Sequence, residues 1–370
     1  MRIVITGADG FIGKNLRHHL RELGHSEVLG ITRGSMAAQL TEALKGADFV
    51  FHLAGVNRPP DPADFATGNA EFTQQICDAL TAGGRPVPVV YTSSTQAAID
   101  NPYGRSKRAA EEALLGYARR SGTQVHLFRL TNVFGKWSRP DYNSAVATFC
   151  HNVTRGLPVT INDPAAPLQL VYVDDVVTAF SQLLTVSATG NAWADAGPVY
   201  RTTVGELAQT IQSFAMSRET LLSPPVGSGL VRALYSTYMS FLPPASFDYG
   251  LTRHADPRGE FVEMLKTPDC GQFSYFTAHP GITRGEHYHH SKTEKFLVIR
   301  GTAHFGFRHI ETGELHEIVT CGGEPRVVET VPGWTHNITN IGEDELIVML
   351  WANEVFDREK PDTVAMKVKP

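Results

Sequence analysis

The chain is predicted to fold as an α/β domain with a doubly wound parallel sheet, followed by an all-β barrel. Three observations point there. β-rich runs alternate with helical stretches through the first half, and a G-x-x-G-x-x-G segment sits between the first strand and the first helix. After about residue 220 the texture changes to short β-rich runs separated by Gly, Pro and Asp turns.

Strands are expected at 2–6, 28–32, 48–54, 87–93 and 125–131, with helices near 11–23, 64–83 and 102–120 between them. Alternation at that spacing winds helices onto both faces of a parallel sheet. Pro224-Pro225 and Pro243-Pro244 punctuate a stretch whose middle, 228–241, reads as one connecting helix. From 247 onward, 294–300, 302–309, 326–331 and 345–352 read as strands of a barrel or sandwich. The boundary falls between 242 and 250, giving domains of 1–245 and 246–370.

Composition narrows the function. A chain of 370 residues suits two domains, and 42% hydrophobic with 19% charged residues is the balance of a folded globular protein. A net charge of −5 gives nucleic acid no support as a partner. A few local cations and backbone N–H groups still suffice for an anionic ligand. Cys77, Cys150, Cys270 and Cys321 lie far apart with no C-x-x-C pair, which argues against a disulfide framework or a thiolate zinc cluster. No signal peptide is expected before Ile3–Thr6, and no apolar run approaches the roughly 20 residues that cross a bilayer. A cytoplasmic location without membrane insertion follows as the expectation.

Gly7-Ala8-Asp9-Gly10-Phe11-Ile12-Gly13 joins the first strand to the first helix. Glycines there let the backbone approach a pyrophosphate, which the free N–H groups and dipole of the helix start favour. The second strand ends in Thr32-Arg33-Gly34 instead of an acidic residue, and an Arg at that place can pair with a 2′-phosphate, so NADPH is the expected cofactor. Val89–Ser94 reads as a strand ending in hydroxyls, and nine residues further on comes Tyr103-Gly104-Arg105-Ser106-Lys107. One helical turn apart, Tyr103 and Lys107 share a face. The ammonium lowers the phenol's pKa for proton exchange with a carbinol or carbonyl oxygen, to which Ser94 also hydrogen-bonds.

The second constellation starts at Gly281. His287 and His289 are two apart, so on a strand they share a face; Glu294 follows, and Pro332-Gly333-Trp334-Thr335-His336 supplies a third imidazole. Imidazoles with one carboxylate form a site for a divalent metal such as Zn, Fe, Mn, Ni or Co, zinc being the expected ion. His290 is an alternative ligand, and His287 has two possible jobs, ligand or base.

The first half resembles the extended short-chain dehydrogenase/reductase family, whose domain is of the Rossmann type, over about residues 1–220. His52-Leu53-Ala54-Gly55 resembles its cofactor loop, so Leu53, Ala54 and Gly55 are implied to bind cofactor, and Asn69 stands where the family has an Asn supporting the active site. Arg129-Leu130-Thr131-Asn132-Val133-Phe134-Gly135 resembles the segment lining the nucleotide-sugar side, which implies a substrate contact for Asn132. Asp174 and Asp175 resemble a strand-to-helix junction, where a helix cap weighs at least as much as catalysis. Sugar 4,6-dehydratases of the family carry an Asp-Glu pair after the catalytic hydroxyl residue; here Ser94 is followed by Thr95-Gln96, so dehydration is disfavoured. The segment from Ser94 to Tyr103 is also shorter than the family's.

The second half resembles the cupins: G-x5-H-x-H-x4-E-x6-G from Gly281 to Gly301, then G-x2-H-x3-N from Gly333 to Asn340. Asp256-Pro257-Arg258-Gly259-Glu260-Phe261 and Arg284-Gly285-Glu286-His287 look like the arginine motifs of the dTDP-sugar 3,5-epimerases, implying a phosphate contact for Arg284 and a base at His287. The domain order resembles the bifunctional reductase–cupin enzymes of capsular polysaccharide and O-antigen synthesis. That resemblance implies a homodimer acting on a UDP-activated amino-deoxy 4-keto sugar, epimerised at carbon 3 by the cupin and reduced at carbon 4 with NADPH. Two other functions stay open: a reductase whose cupin only binds or dimerises, and a NAD-retaining nucleotide-sugar epimerase, against which Arg33 speaks. Tyr288, Lys292 and Lys295 are candidates for the cupin base by proximity alone.

Overall fold

Ile3, Val4 and Ile5 are fully buried, as a strand covered on both faces requires. They belong to β1 (Ile3–Thr6) in a computed structural model that describes the chain except residues 186–191, 253, 257–258, 262–263, 266–270 and 355–358, and the side chains of 254–256, 259–261 and 272–274. Cys270 and the Pro257-Arg258 pair therefore lie outside the described residues. The described chain forms two compact units, Met1–Val133 with Gln169–Arg201, and Phe134–Leu168 with Thr202–Pro370.

In the first unit β1 is followed by α1 (Phe11–Glu22), β2 (Val28–Ile31), α2 (Ala37–Lys45) and β3 (Phe49–His52). A π-helical turn at Ala66–Glu71 runs into α3 (Phe72–Ala82), and β4 (Val89–Ser94), α4 (Pro102–Ser121) and β5 (Val125–Leu130) complete the winding. The strands are parallel in the order β2-β1-β3-β4-β5. The winding reverses between β1 and β3, and Thr6 lies beside His52, so the turns after both strands open side by side at the sheet's carboxyl end. Val4, Val50, Ile76, Val89, Leu114 and Leu127 lie within its buried core. The short α2, with only Ala43 and Leu44 buried, had too little apolar periodicity to be expected.

Short strands β6 (Asn132–Phe134), β7 (Pro167–Tyr172) and β8 (Tyr200–Thr203) lie where the chain passes between units, with α5 (Ala145–Val153) and α6 (Val173–Gln182) among them. In the second unit α7 (Val204–Thr220) and α8 (Gly229–Ser240) precede the β-rich part. That part comprises β9 (Asp248–Gly250), β10 (His254–Asp256), β11 (Gly259–Phe261), β12 (Gln272–Ala278), β13 (Thr283–Tyr288), β14 (Glu294–Arg300) and β15 (Thr302–His309). It continues with β16 (Leu315–Cys321), β17 (Arg326–Glu329), β18 (Trp334–Asn340), β19 (Leu346–Ala352) and β20 (Val364–Ala365). Among the described residues these strands form two five-stranded antiparallel sheets, β12-β19-β14-β17-β9 and β16-β15-β18-β13-β20, in a cupin-like arrangement, while β10 and β11 pair antiparallel as a separate ribbon.

Helices give way to strands between α8 and β9, while packing groups α7 and α8 with the strands that follow. Arg218 of α7 bonds the buried Glu329 of β17, and Ser236 of α8 donates to the Ser291 carbonyl at 2.6 Å. Polar links of this kind group residues 202–245 with the strands, and no composition boundary announces them.

Candidate active site and metal centre

Each constellation is built by its own unit. In the first, Gly7 turns at φ +70°, and a Cβ on it would meet the Ala54 nitrogen at 2.7 Å. A Cβ on Gly13 would come within 2.2 Å of the Gly7 carbonyl oxygen. Gly10 is the N-cap of α1 and offers no capping side chain, and the first turn, through Phe11, Ile12 and Gly13, holds no acidic residue. The donors of that turn are therefore left for an anion, which fits a dinucleotide pyrophosphate. Arg33 stands exposed in the turn after β2.

A hydrogen-bonded chain links the turn to the loop after β3. The Thr6 hydroxyl lies 2.7 Å from His52 Nδ1, and His52 Nε2 lies 2.8 Å from the Thr73 hydroxyl, which donates to the Asn69 carbonyl. The Ala54 N–H donates to Thr6 Oγ1 at 3.3 Å, placing Leu53, Ala54 and Gly55 against the glycine turn. Burial, with Lys107 nearby, pushes His52 down to about 3, so it is a neutral imidazole. Asn69, in the π-helical turn, donates to the Ser106 hydroxyl at 2.9 Å and bonds both backbone groups of Val56. A π-turn is a frequent mark of a functional position.

Asn101 caps α4 through Gly104 N–H at 2.7 Å, Pro102 pre-sets its first turn, and Gly122 ends it at φ +70°. One turn into the helix the buried Lys107 donates to the Thr92 carbonyl at 2.9 Å, and its ammonium lies 6.0 Å from the centre of the Tyr103 ring. Burial lowers Lys107 to about 8, against the opposing pull of Glu111. Half-buried Ser94 ends β4 and accepts from Gln96 N–H at 3.2 Å, capping a 3-10 turn over Thr95–Ala98. The shortened Ser94-to-Tyr103 segment is accommodated at Gly104, where a Cβ would lie 2.2 Å from the Gln96 carbonyl oxygen and 2.3 Å from that of Ile99. Sequence reasoning missed a buried brace beneath: the Ser93 hydroxyl donates to Glu111, which Arg129 grips through Nε at 2.9 Å and Nη2 at 2.7 Å. Asn132 is exposed, its Nδ2 donating to the Gln169 carbonyl. Asp174 and Asp175 occupy the first turn of α6, where they complement the dipole, while Tyr172 holds the cap position.

In the second unit β13 and β18 pair with His287 opposite His336, past an irregularity at Gly285 (φ +98°) and Glu286 (φ +60°). Glu294 enters from β14 of the facing sheet. The ligand atoms of His287, His289, Glu294 and His336 all lie within 4.8 Å of one another. Glu294 Oε2 is 3.2 Å from His289 Nε2 and 3.5 Å from His336 Nε2. Burial, with His336 and His289 beside it, holds His287 at about 3, and burial lowers His336, so both are neutral and offer lone pairs. Burial alone would raise Glu294, but His289 and Lys292 draw it well below the usual carboxylate range. Three imidazoles and an ionised carboxylate converging in a buried space fit a divalent ion. His290 lies outside the group, its N–H bonded to Asp362.

Arg284 is exposed, lies over the Phe276 ring at 5.1 Å and donates to the Thr277 carbonyl at 3.2 Å. Of the three residues near the motif, Lys295 points to the opposite face of β14, where it pairs with Glu329 and donates to the Tyr249 hydroxyl at 3.1 Å. Burial opposes its charge, but Glu329 outweighs that and holds Lys295 protonated, so it cannot accept a proton. Lys292 lies 3.1 Å from Glu294 Oε1, and Tyr288 is buried.

A glycine turn fit for a dinucleotide pyrophosphate, with a Tyr–Lys pair on the helix after β4, is the arrangement of a short-chain reductase or epimerase, and the comparisons agree. Residues 3–194 match the NAD dependent epimerase/dehydratase family, to which the chain belongs, and residues 254–364 match the polysaccharide biosynthesis C-terminal domain. More particularly, the chain is 57% identical over 368 residues to the UDP-2-acetamido-2,6-beta-L-arabino-hexul-4-ose reductase of Pseudomonas aeruginosa, covering 100% of this chain and 99% of that one. It is similar to the crystal structure of capsular polysaccharide assembling protein CapF from Staphylococcus aureus, with a TM-score of 0.69 and 40% identity over 99% of this chain and 100% of that one. A dTDP-glucose 4,6-dehydratase of Streptomyces antibioticus is 29% identical over 222 residues, 47% of this chain and 66% of that one.

Proposed function

We propose that this chain is a bifunctional enzyme of bacterial surface polysaccharide precursor synthesis. Its barrel, residues 246–370, epimerises carbon 3 of a UDP-2-acetamido-2,6-dideoxy-4-keto-hexose. Residues 1–245 then reduce the carbon 4 ketone to give UDP-N-acetyl-6-deoxy-L-talosamine, on the route to UDP-N-acetyl-L-fucosamine. The observation that carries the proposal is the 57% identity, along the whole chain, to a 4-ulose reductase. A cytoplasmic homodimer completes the assignment.

In the reductase part, Gly7, Gly10, Phe11, Ile12 and Gly13 hold the pyrophosphate, Leu53, Ala54 and Gly55 line the nucleotide, and Arg33 takes the 2′-phosphate. When bound, NADPH supplies the hydride. Tyr103 gives its proton to the developing alkoxide, Ser94 donates a hydrogen bond to the same oxygen, and the Lys107 ammonium stabilises the phenolate left behind. Asn132 contacts the nucleotide sugar in this part, and Arg284 contacts it in the barrel.

In the barrel, His287, His289, Glu294 and His336 hold the divalent ion, zinc, with His287 as ligand instead of base. When bound, that ion supplies Lewis acidity. A ketone at carbon 4 acidifies the proton at carbon 3, and its reduction freezes the new configuration, so inversion comes first. With Lys295 committed to Glu329, Lys292 and Tyr288 are left as candidates for moving that proton.

The test is incubation with the 4-keto UDP-sugar in deuterated water. Deuterium at carbon 3 without NADPH, and the talo product with it, are expected. Reduction without inversion or exchange would make the chain a reductase alone, with a barrel that only binds.

A further inference from the structure

The last residues of the chain run along the proposed metal centre. β20 pairs with β13, Ala365 opposite His287 and Val364 opposite Tyr288. Just before it, Asp362 faces the loop that joins His289 to Glu294. Its carboxylate accepts from the N–H groups of His290 at 2.8 Å, Ser291 at 2.7 Å and Lys292 at 2.7 Å, and from the Ser291 hydroxyl at 3.0 Å. Its main-chain carbonyl lies within hydrogen-bond distance of His289 Nδ1. A carbonyl oxygen only accepts, so Nδ1 carries the proton and the lone pair of His289 sits on Nε2, which faces Glu294.

We propose that Asp362 is a positioning residue of the metal centre: its carboxylate fixes the loop that sets His289 against Glu294, and by anchoring Asp362 to that loop it keeps the residue's main-chain carbonyl on His289 Nδ1, which fixes the tautomer. The proposal rests on the assignment of His287, His289, Glu294 and His336 as ligands. Two of those four are joined by the clamped loop, so its geometry is set by a residue some 70 positions away in sequence. Partners of this kind hold ring orientation and ligand basicity.

The experiment uses the full chain with Co(II) as the probe. It reads the dissociation constant by chelator competition, the visible Co(II) spectrum, and the unfolding midpoint of the metal-free chain. Asp362→Ala should bind Co(II) about 10- to 100-fold more weakly, with an altered spectrum. Asp362→Asn, which keeps one acceptor oxygen, should fall between, and it carries the comparison if the alanine variant does not fold. Arg308→Ala is the control for mere destabilisation: it removes the bonds from Arg308 to the Val368 and Lys367 carbonyls, loosening the same segment further along. It should lower the metal-free midpoint and leave Co(II) affinity and spectrum unchanged. Wild-type affinity in the Asp362 variants, or equal losses in Arg308→Ala at equal stability, would overturn the proposal. A wild-type chain that takes up no Co(II) would instead overturn the ligand assignment, and the proposal with it.

Discussion

Gly104 should be intolerant of even one methyl group. A Cβ there would lie 2.2 Å and 2.3 Å from two backbone carbonyl oxygens, of Gln96 and Ile99, neither of which is a flexible side-chain end. Reaching ordinary contact requires a shift of about 1 Å, either of the start of α4, which carries Tyr103, or of the turn that Ser94 caps. A misplacement of about 1 Å at reacting groups costs about 100-fold in rate, or about 2.7 kcal/mol on the barrier. Overpacking itself costs about 1–3 kcal/mol of stability. Gly104→Ala should therefore lose about 100-fold in kcat for ketone reduction while keeping NADPH affinity, because the glycine turn of β1 is untouched. Gly116→Ala, on the same helix, is the control. Its Cβ would meet the flexible guanidinium ends of Arg120 at 3.2 Å and Arg119 at 3.9 Å, and a helix-interior Gly-to-Ala change stabilises by about 0.8–1 kcal/mol. Steady-state kinetics with thermal unfolding decide it: wild-type kcat and stability in Gly104→Ala would refute this account of how the short segment is packed.

Lys107→Met should reduce kcat by about 10²- to 10⁴-fold. Burial holds Lys107 near about 8, so the ammonium is lost as pH rises through that value, and the wild-type kcat–pH profile should fall on its alkaline side there. Glu329→Gln leaves Lys295 and Arg218 buried without their carboxylate and should cost about 3–5 kcal/mol in urea unfolding, part of it regained by adding Lys295→Met. Burial raises Glu329, but Arg218 and Lys295 prevail and lower it, so its contribution is present at neutral pH and lost as pH falls through the folded-state value; acid unfolding of wild type and Glu329→Gln should converge. Arg33→Ala should weaken NADPH relative to NADH by about 10- to 100-fold, the worth of one charged hydrogen bond, measured as a ratio of kcat/KM values. Chelator should lower the unfolding midpoint, reversibly on return of zinc, since an ion at 100 times its Kd contributes about 2.7 kcal/mol.

The parts of the fold that repeat were legible. Continuous apolar runs such as Ile3–Ile5 announced parallel strands, and the turn residues after 247 announced antiparallel ones. The spacing of His287, His289, Glu294 and His336 named the group that the fold draws together, although His289 stands one residue past the end of β13 and is held there by Asp362. What stayed hidden depends on partners distant in sequence. Asp362 is one acid in a C-terminal stretch with no motif, and Glu111 looks like any polar residue of an amphipathic helix until Arg129 and Ser93 close on it. Lys295 looked available by proximity, but side-chain alternation along β14 turns it away from Glu294.

That alternation also bears on how this protein can be cut. β14 offers Glu294 to the ligand group on one side and Lys295 to Glu329 on the other, and Glu329 takes its second cation from Arg218, upstream of the β-rich part. A barrel excised at residue 246 would lose Arg218 and the Ser236 bond to the Ser291 carbonyl, and expose a face built around buried charge. An autonomous piece should keep α7 and α8 together with Phe134–Leu168, whose helix α5 packs on both, even though every strand of the barrel and every proposed ligand lies after residue 247.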